Sequence, residues 1–124
     1  MQKHILSVDD EPEISGMIQK ALAMEGYRVS AAASAEDAWR IVQSDPPQLI
    51  ISDLQLEDTD GLSMVEEIHK TIPDLPVLLL TGVIFDHDVI QGLVGKKVSS
   101  YLPKTSSLDT IRKEVRRLVG PPSA

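Results

Sequence analysis

The sequence predicts an α/β fold: a doubly wound parallel sheet of five strands with helices on both faces. Two observations support it. Short apolar runs alternate with segments of helical periodicity five times along the chain, as in consecutive βα units. The runs 49–51 and 76–80 are continuously apolar, which is typical of parallel strands covered by helices on both sides. In such a sheet a ligand crevice lies at the carboxyl ends of the strands.

The first half of the chain predicts three strands and two helices. The strands are 4–8, 27–33 and 49–53. Pro12 suits the first turn of a helix, where its missing N–H costs little, and Gly26 fits the C-terminal cap of that helix. Ser34, followed by Asp37, resembles an N-cap and predicts a second helix over 35–44.

The second half predicts two more strands and three helices. The strands are 76–80 and 98–102. Asp60 and Gly61 open the third helix, whose apolar residues recur at helical spacing. The fourth helix, over 86–95, has a weaker pattern. Ser106 or Ser107 caps the last helix, which turns its apolar residues inward and its basic residues outward.

Length and composition bound the function. The 124 residues fit one domain with a real hydrophobic core. A formal net charge of −7 argues against nonspecific binding to nucleic acid or to acidic membranes. The chain has no cysteine, which excludes disulfides, thiolate metal sites and thiol nucleophiles. It has no signal-peptide pattern and no apolar run long enough to span a bilayer, so we expect a cytoplasmic protein.

We expect a single domain over 1–119 and a linker or disordered tail over 120–124, because the chain ends in glycine, two prolines and serine. The chain then fits the N-terminal domain of a longer protein.

Polar side chains follow four of the predicted strands. Asp9 and Asp10 follow the first strand, Asp53 ends the third, Thr81 ends the fourth and Lys104 follows the fifth. Because these strand ends meet at one edge, the side chains should share a pocket. Neighbouring carboxylates repel unless a cation neutralises them, and oxygen ligands suit Mg²⁺. The ammonium could pair with a second anion such as a phosphoryl group.

Asp53 is the predicted nucleophile, since a carboxylate that emerges from a buried strand can attack phosphorus and form an acyl phosphate. The Thr81 hydroxyl could donate to a phosphoryl oxygen, and Gly82 leaves room and an accessible N–H. Each residue alone also has a simpler interpretation. Asp9 to Glu11 could supply negative charge to the next helix, and Lys104 could be an exposed surface lysine.

In this order the residues resemble the response-regulator receiver domain of two-component signalling, a flavodoxin-like phosphoacceptor domain. The resemblance covers residues 3–119. No single motif is specific, but the ordered set is. The matching segments are 3–11, Asp53 with Leu54, Asp60 with Gly61, 80–82 and 101–104.

The resemblance implies a strand order of 2-1-3-4-5 and a phosphorylation switch. Asp53 would accept a phosphoryl group from a phosphohistidine of a partner histidine kinase or phosphotransfer protein. Asp10, Asp53 and the backbone carbonyl of Gln55 would hold Mg²⁺, with Asp9 acting through water. Thr81 and Lys104 would bind the phosphoryl oxygens.

The resemblance also assigns roles further from the phosphoryl group. Tyr101 would turn inward as Thr81 moves, and the signal would be read on the surface of the fourth helix, the fifth strand and the last helix. Gln55 and Val83 would tune the hydrolysis rate. The output would reach a C-terminal domain after Ala124 or a separate target protein, with a phosphorylation-dependent homodimer as one form.

The sequence departs from the family pattern in three regions. Thr105 follows Lys104 where the family has a proline joined by a cis bond, and a cis bond before a non-proline is costly. Lys97 stands where a glycine is common in the family. We therefore expect these departures to alter the position of the fourth helix and the output face, and not the phosphorylation site. Glu57, Asp58 and their neighbours make the loop after Asp53 acidic, which fits a solvated loop or an altered metal affinity or kinase docking.

Three other functions compete with this regulatory, non-enzyme interpretation. A phosphatase of the dehalogenase type would need a second aspartate where Gln55 stands. A binding module could keep the fold and ignore phosphate, although such modules usually lose an acidic ligand or the lysine. A flavodoxin-like nucleotide-binding protein is disfavoured because no glycine-rich loop follows the first strand.

Overall fold

The computed structural model describes residues 2–53, 56, 58–81 and 98–122, and of Thr81 the backbone alone. Five strands form one sheet in the order β2-β1-β3-β4-β5, and every neighbouring pair is parallel. The predicted fold class and the strand order implied by the resemblance are both confirmed. None of the described helices is long and apolar enough to cross a membrane.

The elements alternate along the chain as the sequence predicted. The strands are β1 (His4–Val8), β2 (Arg28–Ala32), β3 (Leu49–Asp53), β4 (Val77–Thr81) and β5 (Ser100–Pro103). The helices are α1 (Pro12–Glu25), α2 (Ala35–Ser44), α3 (Gly61–Thr71) and α4 (Leu108–Val119). The predicted helix over 86–95 lies outside the described residues.

Local signals in the sequence set the helix ends. Gly26 ends α1 with a φ of 109°, a left-handed conformation that glycine adopts without steric cost. The side chains of Ser34, Asp60 and Ser107 begin α2, α3 and α4, because each accepts a hydrogen bond from a backbone N–H three residues later. Of the two serines offered by the sequence, Ser107 is the cap of the last helix.

The hydrophobic core has two layers, one on each face of the sheet. On one face α2 and α3 cover the sheet, with Val42, Met64 and Ile68 packed against strand residues such as Ile50. On the other face α1 and α4 cover it, with Leu22 and Val115 among the buried residues. All five residues of β1 and of β3 are buried. The strands β1 and β3 are therefore enclosed along their whole length, and the charged residues Asp9 and Asp53 lie at their carboxyl ends.

The fifth strand begins two residues later than predicted. Val98 is buried and forms an isolated bridge, and the regular pairing with β4 starts where Leu78 lies opposite Ser100. Between them, the side chain of Ser99 accepts a hydrogen bond from the backbone N–H of Val77 at 3.1 Å. The apolar pattern includes Val98 because it is buried, although it lies outside the strand.

Gly61 is required by close packing, so Gly61→Ala should destabilise the protein. A Cβ at this position would overlap the backbone carbonyl of Asp53. We expect the free energy of unfolding to fall by about 2 kcal/mol or more, measured by urea denaturation. Gly16→Ala in α1 is the matched control, because nothing lies within 4 Å of a Cβ there. That variant should be neutral or gain up to about 1 kcal/mol, and equal losses in the two variants would contradict the packing argument.

Candidate functional site

The carboxyl edge of the sheet gathers charged side chains from three strands. Asp9 directly follows β1, Asp53 is the last residue of β3 and Lys104 directly follows β5. Asp9 and Asp53 are almost fully buried, with 4% and 7% of their surfaces exposed. Buried charges are rare unless they are paired. We therefore describe the site by the groups that pair with these two carboxylates.

Lys104 is the centre of this arrangement. Its Nζ lies 2.8 Å from Asp53 Oδ2, 2.6 Å from Glu11 Oε1 and 3.1 Å from Asp9 Oδ2. The side chain of the lysine is only 9% exposed. One ammonium thus donates to three carboxylates, two of which are buried beside it. Such contacts are charge-assisted and gain strength where water is excluded.

The carboxylates outnumber the ammonium. One oxygen from each of Asp9, Asp10, Glu11 and Asp53 lies within 4.8 Å of the others. A set of carboxylate oxygens this close is the chemistry that a hard divalent cation prefers. Asp10 and Glu11 are exposed, so a hydrated ion could reach the cluster from solvent. The residues present therefore fit a Mg²⁺ site.

The pKa values at the site respond to burial and to pairing. Burial raises the pKa of the Asp9 carboxyl above its ordinary value, although hydrogen bonds from the Glu11 N–H and from Lys104 act in the opposite direction. Burial alone would lower the pKa of the Lys104 ammonium. Its hydrogen bonds to Asp53, Glu11 and Asp9 outweigh burial, so the net shift of the Lys104 pKa is upward. Lys104 is therefore firmly cationic.

Backbone contacts hold the two buried carboxylates in place. The N–H of Asp9 donates to the Ala32 carbonyl of β2 at 3.1 Å, and Asp9 Oδ1 accepts from the Glu11 N–H at 2.8 Å. At β3 the Ser52 hydroxyl donates to the Asp53 carbonyl at 2.8 Å. These contacts fix the backbone on both sides of the crevice before any ligand binds.

Several predicted site residues are described in part or not at all. Thr81 ends β4, one strand away from Asp53, and only its backbone is described. Gln55, Gly82 and Val83 lie outside the described residues, so their roles remain predictions. Tyr101 is half-buried in β5 opposite Leu79 and packs against the core face that α2 and α3 cover.

The turn before α4 forms without the proline that the family usually has. The peptide bond between Lys104 and Thr105 is trans. The N–H of Ser106 donates to the Pro103 carbonyl at 3.0 Å, which closes a tight turn. Lys104 lies within this turn, and its ammonium still reaches the acidic cluster.

Two residues of the site region were not assigned by the sequence interpretation. Glu11 was considered for its effect on the N-terminus of α1, but its carboxylate also contacts Lys104 and lies within the acidic cluster. Asp58 was grouped with an acidic loop, yet its carboxylate accepts hydrogen bonds from the N–H groups of Ala35 and Glu36. The position of Glu11 beside Asp10 was an available signal, whereas nothing near Asp58 indicates its distant partner.

Comparison with known proteins agrees with this geometry. The family model for the response regulator receiver domain matches residues 5–116. The transcriptional regulatory protein KdpE of Staphylococcus aureus is 31% identical over 116 residues, 94% of this chain and 49% of that protein. The transcriptional regulatory protein GlrR of Escherichia coli is 32% identical over 115 residues, 90% of this chain and 25% of that protein. The chain thus spans a half to a quarter of these relatives.

Solved structures of similar fold include a CheY-like receiver domain from Methanospirillum hungatei, with a TM-score of 0.86 at 25% identity over 94% of this chain and 93% of that one. The chemotaxis protein CheY4 of Vibrio cholerae has a TM-score of 0.85 at 26% identity, over 95% of this chain and 99% of that one. On the family match, which covers most of its length, the chain belongs to the response regulator receiver domain family of two-component systems.

Proposed function

We propose that this receiver domain is a phosphoacceptor in which Asp53 takes a phosphoryl group from a phosphohistidine of a histidine kinase or phosphotransfer protein. One observation carries the proposal. The Asp53 carboxylate is 7% exposed at the end of β3, 2.8 Å from the Lys104 ammonium and within the acidic cluster. A lysine and a bound cation around one carboxylate are what the transfer of a dianionic group requires.

The residues that would hold Mg²⁺ are Asp10, Asp53 and the backbone carbonyl of Gln55, with Asp9 acting through water. When bound, the ion neutralises the negative charge that an arriving phosphoryl group brings to four carboxylates. The closeness of those carboxylates supports this assignment.

In the proposed transfer, an oxygen of Asp53 forms a bond to phosphorus while the P–N bond of the phosphohistidine breaks. The electron pair of that bond stays on the imidazole nitrogen, and the product is an acyl phosphate on Asp53. Lys104 exchanges its contact with the Asp53 carboxylate for one with the phosphoryl oxygens. The protein contributes position and charge rather than a proton, which suits a regulatory domain with slow self-dephosphorylation.

The switch that follows would involve Thr81 and Gly82 at the phosphoryl oxygens and an inward turn of Tyr101. The half-buried position of Tyr101, which packs against the core from β5, supports this role. The output would be read on the face formed by β5, α4 and the segment 82–97. Gln55 and Val83 would set the lifetime of the phosphoryl group.

The wider setting is part of the same proposal. The two curated relatives described above are named as transcriptional regulators and are longer than this chain, which supports an output domain after Ala124 or a separate target protein. We propose that the protein is cytoplasmic. Residues 1–119 would form the domain, and residues 120–124 would be a linker or a disordered tail. Phosphorylation could also promote a homodimer.

The first test is the intact mass of the chain after incubation with acetyl phosphate and Mg²⁺. We expect the mass of one added phosphoryl group in the wild type, because the proposal makes Asp53 a single acceptor beside Lys104. Asp53→Asn and a metal-free sample should gain nothing. An equal mass gain in Asp53→Asn would contradict the assignment. If neither mass nor beryllofluoride binding responds, the alternative stands, a phosphorylation-independent interaction module of the same fold.

Asp9→Asn should stabilise the protein without metal and weaken the response to Mg²⁺. Burial raises the Asp9 pKa in the folded state, so the ionised carboxyl destabilises the fold increasingly as the pH rises through the unfolded and then the folded pKa. At pH 7 we expect a gain of about 0.5–2 kcal/mol in the free energy of unfolding, and a smaller increase on adding Mg²⁺. Asp74→Asn, which removes an exposed charge far from the cluster, is the control. A less stable Asp9→Asn variant would contradict the burial argument.

The phosphohistidine donor must rest on a surface close to Lys104, and the chain has one. A hollow of about 200 Å³ between α1 and α4 is lined by Ile14, Met17 and Leu108, and Lys104 forms part of its wall. Met17 is 55% exposed there. An apolar surface beside the acceptor supports this hollow as the place where the donor protein contacts the domain.

Met17→Glu should therefore slow transfer from a phosphohistidine protein by about tenfold, because a charge would enter the apolar contact. Phosphorylation by acetyl phosphate should be unchanged, since a small donor needs no docking surface. Met24→Glu is the matched control: Met24 lies on the same helix, is 78% exposed and does not line the hollow. Radiolabel transfer from a purified phosphorylated histidine kinase would measure both rates. Equal slowing in the two variants would exclude this surface.

A further inference from the structure

A groove of about 310 Å³ runs between α2 and α3. It lies on the face of the sheet opposite the hollow that borders Lys104, because α2 and α3 cover one face and α1 and α4 cover the other. Trp39 of α2 and the buried side chains of Met64 and Ile68 of α3 form its apolar part. The acidic cluster contributes none of the described residues that line it, so the groove is separate from the candidate site.

Trp39 is the side chain of this groove best suited to contact another molecule. It packs against the core from α2 and is still partly exposed. Tryptophan is enriched at the centres of protein interfaces, because it buries a large apolar area and has few rotatable bonds. A partner side chain that entered the groove would cover the exposed part of the indole.

The rim of the groove is acidic. Glu36, Asp58 and Glu67 line it, all three are exposed, and no lysine or arginine is among the described residues of its lining. Asp58 is held in place by hydrogen bonds from two N–H groups of α2. Glu36 pairs with Arg40 and Glu67 pairs with Lys70, each at 2.8 Å. Pairs as exposed as these contribute little, so a partner cation can replace them at small cost.

The negative charge of the protein is concentrated on this side. Residues 34–75, which form α2, β3 and α3, include ten acidic and two basic residues, whereas the rest of the chain has nine acidic and ten basic ones. A surface charged in this way attracts cationic partners and repels anionic ones, nucleic acids and acidic membranes included.

We propose that this groove is a docking site for a basic amphipathic segment of a partner protein. An apolar side chain of the segment packs against Trp39 and Met64. Its flanking lysine or arginine side chains pair with Glu36, Asp58 and Glu67. An amphipathic helix suits this site, because it presents apolar anchors at intervals of three or four residues with cations beside them.

The test uses a designed peptide as the probe and Trp39, the single tryptophan, as the reporter. The probe has about 18 residues, enough to form a helix in water, and consists of alanine and lysine with two leucines at helical spacing. One comparison peptide has alanine in place of the leucines, and another has glutamate in place of the lysines. We expect the probe to change Trp39 emission in a saturable way and both comparison peptides to bind at least about tenfold more weakly, because the site requires an apolar anchor and positive charge.

Two variants test whether the groove itself is the binding surface. Glu67→Lys reverses a charge on its rim. Glu66→Lys is the matched control, since Glu66 precedes it in α3, is exposed and does not line the groove. Both variants have the same net charge, so a difference between them reports position. We expect the probe to bind Glu67→Lys about fivefold more weakly than wild type and Glu66→Lys less than about twofold more weakly. Circular dichroism confirms that each variant is folded.

The titrations contain no phosphodonor and no Mg²⁺, so their result does not depend on the proposed function. The proposal is wrong if the probe leaves Trp39 emission unchanged, if the leucine-free peptide binds as tightly as the probe, or if the two variants lose affinity equally.

Sedimentation equilibrium of the protein alone tests a second copy of the chain as the occupant. We expect a monomer. Self-association that Glu67→Lys abolishes and Glu66→Lys preserves would assign the groove to a second copy and overturn the proposal of a separate partner.

Discussion

The carboxyl edge of the sheet depends on the contact of the Lys104 ammonium with three carboxylates. Asp9 and Asp53 are buried next to each other, and their like charges repel unless a cation neutralises them. Lys104 compensates part of that charge from a side chain that is itself nearly buried. It leaves the cluster with an excess of negative charge. The same excess that makes this end of the sheet costly for the fold is the chemistry that a small divalent ion prefers.

The fold tolerates this charged cluster because the apolar core of the domain stabilises the folded state. Every residue of β1 and β3 is buried between two helical layers, so the strands that carry Asp9 and Asp53 are anchored along their whole length. Gly61 shows how tightly α3 is packed against the backbone carbonyl of Asp53. The layers provide the stability, and the burial of the Asp9 carboxylate at a strand end opposes it. A stabilising core that carries a less stable polar site is common in proteins.

The fold could be predicted from the sequence because its signals are local. The apolar runs, the glycine that ends α1 and the caps Ser34 and Asp60 each act within a few residues, and each matches the structure. The convergence of Asp9, Asp53 and Lys104 could be predicted because each residue stands at the carboxyl end of a parallel strand. The partner of Asp58 could not be predicted, since Ala35 lies 23 positions away and an acidic loop gives no hint of a distant helix. The predicted start of β5 was two residues too early, because Val98 is buried like a strand residue but lies outside the regular pairing with β4.

The amino ends of the strands, opposite the candidate site, determine where the chain leaves the domain. The N–H of Lys3 donates to the Pro122 carbonyl at 2.8 Å, and the Tyr27 hydroxyl donates to the Gly120 carbonyl at 2.7 Å. Residues 120–122 therefore lie at the amino ends of β1 and β2, roughly 17 Å from Asp53 across a strand of five residues. Anything joined to the chain beyond Pro122 starts from the side opposite Asp53. An effector attached there could respond to events in the crevice only through a change in the shape of the domain, and a fusion at this end would leave the crevice accessible.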